Sequence, residues 1–288
     1  MPACAFLTTD ALDAFVTYDH DAVEPLAALG WTVDFVPWRA DADWDAYDLV
    51  VIRSPWDYQD DPNAFLDVLG RIDQSAARLE NGLDVVRWNA RKTYLRDLEC
   101  AGVPIVPTAW ERSPSADALA DALSGWDAAE GVVKPIVGAN ADGVHRLHRD
   151  DGAGFERAAA AYAGREALVQ PFVPAVVSEG EHSVFVFGGA VSHAVLKTPA
   201  EGDFRVQEEH GGVIRGVAPE PALLDLTRSA LAAVPGGPLL YARADAVRMP
   251  DGTLAVMELE LIEPSLYFPY GPGSAERFAR AVDALARG

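Results

Sequence analysis

The chain has 288 residues, half of them hydrophobic, and a net charge of −21 from 23 basic and 44 acidic residues. Such an acidic chain is a poor partner for nucleic acid, whose phosphates need a basic surface. The hydrophobic content excludes disorder, and apolar runs no longer than a strand predict no transmembrane helix. The start, Met1 to Asp10, has no basic region and too short an apolar stretch for a signal peptide. Cys4 and Cys100 form no Cys-x-x-Cys pair, which fits buried thiols in a reducing cytoplasm. The expected location is therefore cytoplasmic.

Residues 1–89 read as an α/β unit. Strands are expected at Ala3–Thr9, Trp31–Val36 and Leu49–Ile52, with helices at His20–Gly30 and Pro62–Glu80. Alternation of this kind predicts a parallel sheet covered on both faces. No Gly-x-Gly-x-x-Gly follows a strand, so a dinucleotide fold of the usual kind is disfavoured. Ligands of such sheets bind beyond the carboxyl ends of the strands. There the loop Arg53, Ser54, Pro55, Trp56, Asp57, Tyr58 offers a cation, a hydroxyl, two aromatics and an acid. It reads as a substrate loop, or else as a surface turn with a packed Trp.

Residues 90–166 form the second expected unit. Asn89 can cap a helix over Ala90–Ala101 ended by Gly102, with Lys92 in its first turn. A short extended piece, Pro104–Pro107, and a helix over Ser113–Ser124 follow. Lys134 then lies inside an apolar strand, where a charge is costly without a partner. The small-residue loop Gly138–Gly143 follows at once and could let backbone N–H groups approach phosphate. His145 and His148 lie in a strand, where i and i+3 face opposite ways, which argues against a shared zinc.

Residues 167–288 form the third unit. The strand Ala167–Val173 runs through Gln170, Pro171 and Phe172 into a Pro-bounded connection. Glu181 opens the next strand, Gly188-Gly189 turns it, and the return delivers Lys197. After a loop comes Arg205-x-Gln207 leading to Gly211-Gly212. The strand Leu239–Arg248 and its partner Thr253–Glu260 flank Asp251-Gly252, a strong signal for a two-residue hairpin loop. That loop places Asp245 opposite Glu258, with Glu260 on the same face. Three carboxylates at short range repel unless a divalent cation joins them, and all-oxygen ligation suits Mg²⁺ or Mn²⁺. A solvated acidic hairpin is the alternative. Lys134, Lys197 and Arg205 could surround a polyphosphate whose metal the acids hold, which is the equipment of phosphoryl transfer.

In this order the residues resemble the ATP-grasp superfamily, in the branch with glutathione synthetase and D-alanine–D-alanine ligase. The resemblance covers Trp88 to the C-terminus. It implies an α/β (α+β) ATP-grasp fold, with an N-terminal parallel-sheet domain followed by two α+β lobes that clamp ATP. It further implies that Lys92 and Lys134 contact the α- and β-phosphates, and that Gly138–Gly143 is a flexible lid. The hinge Gln170, Pro171, Phe172, Val173 would take the adenine edge, and Glu181 the ribose. Lys197 and Arg205 would steady the γ-phosphate and the acylphosphate. Asp245, Glu258 and Glu260 would ligate two Mg²⁺ ions, although relatives usually carry Asn where Glu260 stands. The lid is also poorer in glycine than in many relatives. Many members of the branch are homodimers, but no interface is legible in these residues.

A finer resemblance rests on Arg53-Ser-x-Trp56-Asp57-Tyr58, Trp88-Asn89-x-x-Lys92, Gly180-Glu181-x-Ser183 and Glu258-Leu-Glu260-x-Ile-Glu263-Pro264-Ser265. These are similar to the subgroup that contains the D-cycloserine ligase, which closes O-ureido-D-serine into a ring. The implied substrate is a small amino-acid-like carboxylate, held by the Arg53 loop, Gly212 and Ser265. Three readings stand: an ATP-dependent carboxylate–amine ligase, an ATP-grasp kinase, and a nucleotide-binding module without catalysis.

Overall fold

A computed structural model describes residues 1–12, 15–138 and 143–287. Its first sheet holds β1 (Ala3–Thr8), β2 (Thr32–Pro37), β3 (Leu49–Ser54) and β4 (Arg78–Glu80), in the order β2-β1-β3-β4 and all parallel. β1 and β3 are apolar on both faces because both faces are covered. Phe6 and Val51 pack towards the C-terminal half of the chain, while Leu7, Val50 and Ile52 pack beneath α2.

Nine α-helices occur among the described residues: α1 (Val23–Ala28), α2 (Pro62–Asp73), α3 (Leu83–Asn89), α4 (Tyr94–Cys100), α5 (Ala116–Gly125), α6 (Gly152–Ala161), α7 (Ala175–Ser178), α8 (Pro221–Ala232) and α9 (Ser274–Arg287). The Asp61 side chain caps α2 by accepting from the Ala64 N–H at 3.1 Å. α2 ends at Asp73, short of the expected Glu80. The Ser75 hydroxyl donates to the Ile72 carbonyl at 2.7 Å and closes the last turn. The chain then pairs with β3 as β4, a gain of sheet hydrogen bonds that helical periodicity does not report.

The second sheet holds β5 (Ala109–Glu111), β6 (Glu130–Pro135), β7 (His145–His148) and β8 (Ala167–Pro171), in the order β5-β8-β6-β7 and antiparallel. Helices α5 and α6 cover one face through Leu119, Leu123 and Phe155. Because β8 lies inside this sheet, the sheet extends past the expected boundary at residue 166.

The third sheet holds β9 (Glu181–Phe187), β10 (Ala190–Thr198), β11 (Val213–Val217), β12 (Tyr241–Arg248) and β13 (Leu254–Glu260), in the order β11-β10-β9-β12-β13 and antiparallel. One face packs α4 and α8 through Val184, Val186, Ala242 and Ala244. Phe185, Phe187 and Tyr241 share a core with Phe6 and with Phe278 of α9, which joins the first sheet to the third. No helix among the described residues is long and apolar enough to cross a membrane.

The hairpin β12–β13 departs from the expected two-residue loop. Met249 N–H donates to the Thr253 carbonyl at 2.8 Å, so the loop is Pro250–Gly252, with Gly252 at φ +87°. This moves the register by one residue, and Ala246 faces Val256. A bulge at Met257 moves it back, and Asp245 faces Glu258 as expected. Two local departures cancel before the acids are reached.

His193 on β10 gives the core a pH dependence. Its ring stacks on Phe185 at 4.2 Å, and Nε2 donates to the Leu266 carbonyl at 3.1 Å. Burial lowers its pKa to about 4. The folded protein therefore binds fewer protons here than the unfolded chain between about pH 4 and pH 6.5. The stabilisation is complete above pH 6.5 and is lost as pH falls towards 4, by about 3 kcal/mol in all. Denaturant titrations across this range should show a shallower slope for His193→Gln than for the native chain. Equal slopes would remove His193 as the cause.

Candidate active site

Strand alternation gathers charged side chains on the face of the third sheet opposite α4 and α8. Glu181 and Ser183 come from β9, Lys197 from β10, Arg243 and Asp245 from β12, and Glu258 and Glu260 from β13. The β6 residue Lys134 and the β8 residue Gln170 line the same cleft, as do Lys92, Arg205 and the hinge residues Pro171, Phe172 and Val173. Gly138 lies at its edge, while residues 139–142 of the expected lid fall outside the described residues. Trp56, Tyr58, Glu263, Ser265 and Tyr267 close the side next to the first sheet.

The acids line one cleft but do not converge on one point. Among the described residues no three acidic, histidine or cysteine side chains gather as a metal cluster. Cationic side chains stand between the acids instead. Arg243 donates from Nη2 to Asp245 at 3.0 Å and also binds Glu260. Lys197 lies 3.2 Å from Asp245 and also pairs with Glu181, while Lys92 pairs with Glu258. The Ser183 hydroxyl donates to Asp245.

Electrostatics follow from this packing. Burial disfavours a charged Asp245, but Arg243 and Lys197 overcome it and hold the carboxyl below its usual range. Burial pushes Glu260 up; Arg243 pulls against that rise, and Asp245 and Glu258 add to it. Glu263 is raised to about 7, chiefly by burial. Among the described residues seven carboxylates and five cationic side chains line the cleft, an excess of acids that fits an added oxygen-seeking divalent ion. Lys134 is the opposite case. It makes no ion pair among the described residues, and burial lowers its pKa. A half-buried ammonium without an anion faces a cleft that could supply one.

Asn89 fixes the acid-bearing strand. Its Nδ2 donates to the Leu259 carbonyl at 2.8 Å, and its Oδ1 accepts from the Leu261 N–H at 2.9 Å. Tyr94 accepts the Leu259 N–H at 2.9 Å. These bonds hold the backbone between Glu258 and Glu260 and just beyond. Asn89 is thus the last residue of α3 and not the cap of a helix over Ala90–Ala101. The chain turns through Ala90–Thr93, where Lys92 N–H reaches the Ile136 carbonyl at 2.8 Å.

Several expected substrate residues do not reach the cleft. Arg53 is 1% exposed and pairs through Nε with Asp19 at 3.0 Å. Its Nη2 donates to the Pro264 carbonyl at 2.8 Å, so it supports the cleft wall from behind. Ser54 is fully buried, 3.0 Å from the Thr8 hydroxyl. Asp57 is occupied by Arg39 and by the Trp38 indole N–H at 2.7 Å. Gly212 closes the turn after Gln207: a Cβ there would lie 2.1 Å from the Val206 carbonyl oxygen. Gly143 lies against Tyr162, whose hydroxyl donates to its carbonyl. Arg205 does line the cleft, with its guanidinium on Asp203 at 2.7 Å. Arg53→Met should cost about 3–5 kcal/mol, because it strands the buried Asp19 carboxylate. Chemical denaturation would test this, and a loss below about 1 kcal/mol would refute the structural role.

Sequence reasoning missed Arg243, and it quoted Glu263 within a motif without giving that residue a role. Arg243 was legible as the residue two before Asp245 in one strand, hence on the same face. Glu263 follows the strand and carries no periodic signal.

A family model for the N-terminal domain of D-cycloserine synthetase DcsG matches residues 4–81. The cycloserine biosynthesis protein DcsG of Streptomyces lavendulae is 33% identical over 294 residues, which span 96% of each chain. The chain belongs to the D-cycloserine synthetase family of ATP-grasp ligases. The crystal structure of D-cycloserine synthetase DcsG matches with a TM-score of 0.86 and 30% identity over 99% of both chains. The ATP-grasp ligase PsnB, complexed with minimal precursor, shares the fold at a TM-score of 0.68 and 18% identity, over 99% of both chains. Membership in the family accounts for the arrangement of three sheets and makes the chain a ligase.

Proposed function

We propose that the chain activates a small amino-acid-like carboxylate with ATP and joins it to a nitrogen, with ring closure of O-ureido-D-serine to D-cycloserine as its reaction. The observation that carries this reading is the pairing of an anion-free Lys134 with an acid-rich floor across one cleft. Solved relatives include PsnB with Mg and ADP, which supports ATP and Mg²⁺ as the ligands here.

In this reading Lys92 and Lys134 hold the α- and β-phosphates. Gln170 to Val173 take the adenine edge and Glu181 the ribose. Asp245, Glu258 and Glu260 would hold two Mg²⁺ ions, or Mn²⁺ in their place. Bound metal would neutralise phosphate charge, so that one anion can attack another. Lys197, Arg205 and Arg243 steady the transferring phosphoryl group and the acylphosphate oxygens. Arg205 is partly exposed on Asp203, so exchanging that partner for phosphate costs little. Trp56, Tyr58 and Ser265 line the substrate end. The oxygen-bound ureido nitrogen then attacks the activated carbonyl and gives up its proton to solvent, phosphate leaves, and water removes the carbamoyl group from that nitrogen as carbon dioxide and ammonia to give D-cycloserine.

The test is Mg²⁺-dependent ADP release across amino acids and O-ureido-D-serine, with hydroxylamine as trap. Substrate-dependent ADP with a hydroxamate product is the expected result. ADP with a stable phosphorylated product would make the chain a kinase. Nucleotide binding without turnover on any acid would refute the ligation proposed here.

A further inference from the structure

Most carboxylates of the cleft already have a cation. Glu181 has Lys197, Asp245 has Arg243 and Lys197, Glu258 has Lys92, and Glu260 has Arg243. Three do not: Glu208, Glu209 and Glu263 make no ion pair among the described residues. Glu208 is occupied by two tyrosine hydroxyls, Tyr18 at 3.0 Å and Tyr270 at 2.9 Å. Glu209 is exposed and binds the Val16 N–H at 3.2 Å. Among the described residues the Tyr58 hydroxyl is the hydrogen-bond partner of Glu263, with Lys92 and Arg243 acting on it from farther away. An ionised carboxylate offers about four lone-pair sites, so one donor leaves most of them open towards the cleft.

Glu263 is also held in place. Trp56 donates from its indole N–H to the Glu263 carbonyl at 2.9 Å. Arg53 holds the next carbonyl, that of Pro264, at 2.8 Å. The Tyr241 hydroxyl lies 2.7 Å from the Ile262 carbonyl. The side chain is therefore presented by a backbone anchored on both sides, from the first sheet and from β12. Anchoring of this kind suits a binding group and exceeds what a solvated acid needs.

Position decides what it binds. Arg243 donates to the Ser265 carbonyl at 3.3 Å, so the cation to which the proposed function gives the phosphoryl group adjoins the Glu263 segment. In an amino acid the ammonium sits on the carbon next to the carboxylate. An acid that receives the ammonium must therefore lie beside the cations that receive the carboxylate. We infer that Glu263, oriented by Tyr58, is the subsite for the α-ammonium group of the substrate. This rests on the proposed activation of an amino-acid carboxylate. It explains how a ligase of this fold would refuse simple carboxylic acids: without the ammonium, the half-buried Glu263 stays without a cation.

The experiment compares O-ureido-D-serine with the same molecule bearing hydrogen in place of the ammonium, and D-serine with its deaminated counterpart. Hydroxamate formation is measured for the native chain, Glu263→Gln and Glu263→Asp. The native chain should prefer the ammonium-bearing compound by about 100-fold in kcat/KM. Glu263→Gln should reduce that preference to about 5-fold or less with KM for ATP unchanged, and Glu263→Asp should restore part of it. An unchanged preference in Glu263→Gln would overturn the inference. Should the native chain make no hydroxamate, the proposed reaction fails, and thermal shifts in the presence of Mg-ADP decide the subsite separately. There the ammonium-bearing compounds should raise the native Tm more than their counterparts, and Glu263→Gln should erase the difference. Equal shifts for both series, or none, would overturn the inference.

Discussion

Glu258→Gln should lower Mg²⁺-dependent ADP release by about a thousandfold or more, the scale of losing a preorganised charge in a transition-state site. Glu258 faces Asp245 across the β12–β13 pair and shares a face with Glu260. In the proposed mechanism it would be one of the carboxylates that hold Mg²⁺, and a neutral amide is a far weaker ligand for a hard cation. The fold should survive. The amide has the same shape, the strand is held by Asn89 and Tyr94, and the Glu258 side chain is 32% accessible. Losing a partly solvated pair with Lys92 costs about 1 kcal/mol. Steady-state assays and thermal melts would be read together. Retention of more than about a tenth of native turnover would sink the metal assignment.

Arg243→Met should produce two losses at once. Arg243 neutralises both Asp245 and Glu260, and the Asp245 side chain is 2% accessible. Removing the guanidinium leaves that carboxylate with Lys197 and Ser183 alone, at a cost of about 3 kcal/mol. Turnover should also fall by about 100- to 1000-fold, because the proposed mechanism uses this cation to steady the transferring phosphoryl group. Arg243→Lys separates the two effects. It restores charge, hence much of the stability, but cannot reproduce the planar fork on two acids. An unchanged unfolding midpoint in Arg243→Met would show that the acids are neutralised by another group.

The two departures that cancel in β12–β13 show how local signals can be right for the wrong reason. Asp251-Gly252 marked a turn, and the facing of Asp245 and Glu258 emerged although the loop is one residue longer. The bulge at Met257 is invisible in a pattern of period two, because it is defined by the partner strand. Arg53 shows the reverse. A cation at the carboxyl end of a parallel strand has the local look of a ligand group, but Asp19, many residues earlier, had already claimed it. Its use is to hold Pro264 and so the wall that carries Glu263.

Element type followed from the residues alone wherever the cause is local. Apolar runs on β1 and β3, the Gly188-Gly189 turn, and alternation along β12 and β13 each depend on neighbours in the chain. So did the ordered series of Lys92, Lys134, Lys197, Asp245, Glu258 and Glu260, all of which line one cleft. Only the tertiary structure decided which charge pairs with which, where α2 stops, and that Asn89 grips β13 instead of capping a helix. Those choices depend on the difference between burying a polar group alone and burying it beside a partner from a distant segment. That difference amounts to several kcal/mol for a charge, and nothing in a linear pattern records which distant segment supplies the partner.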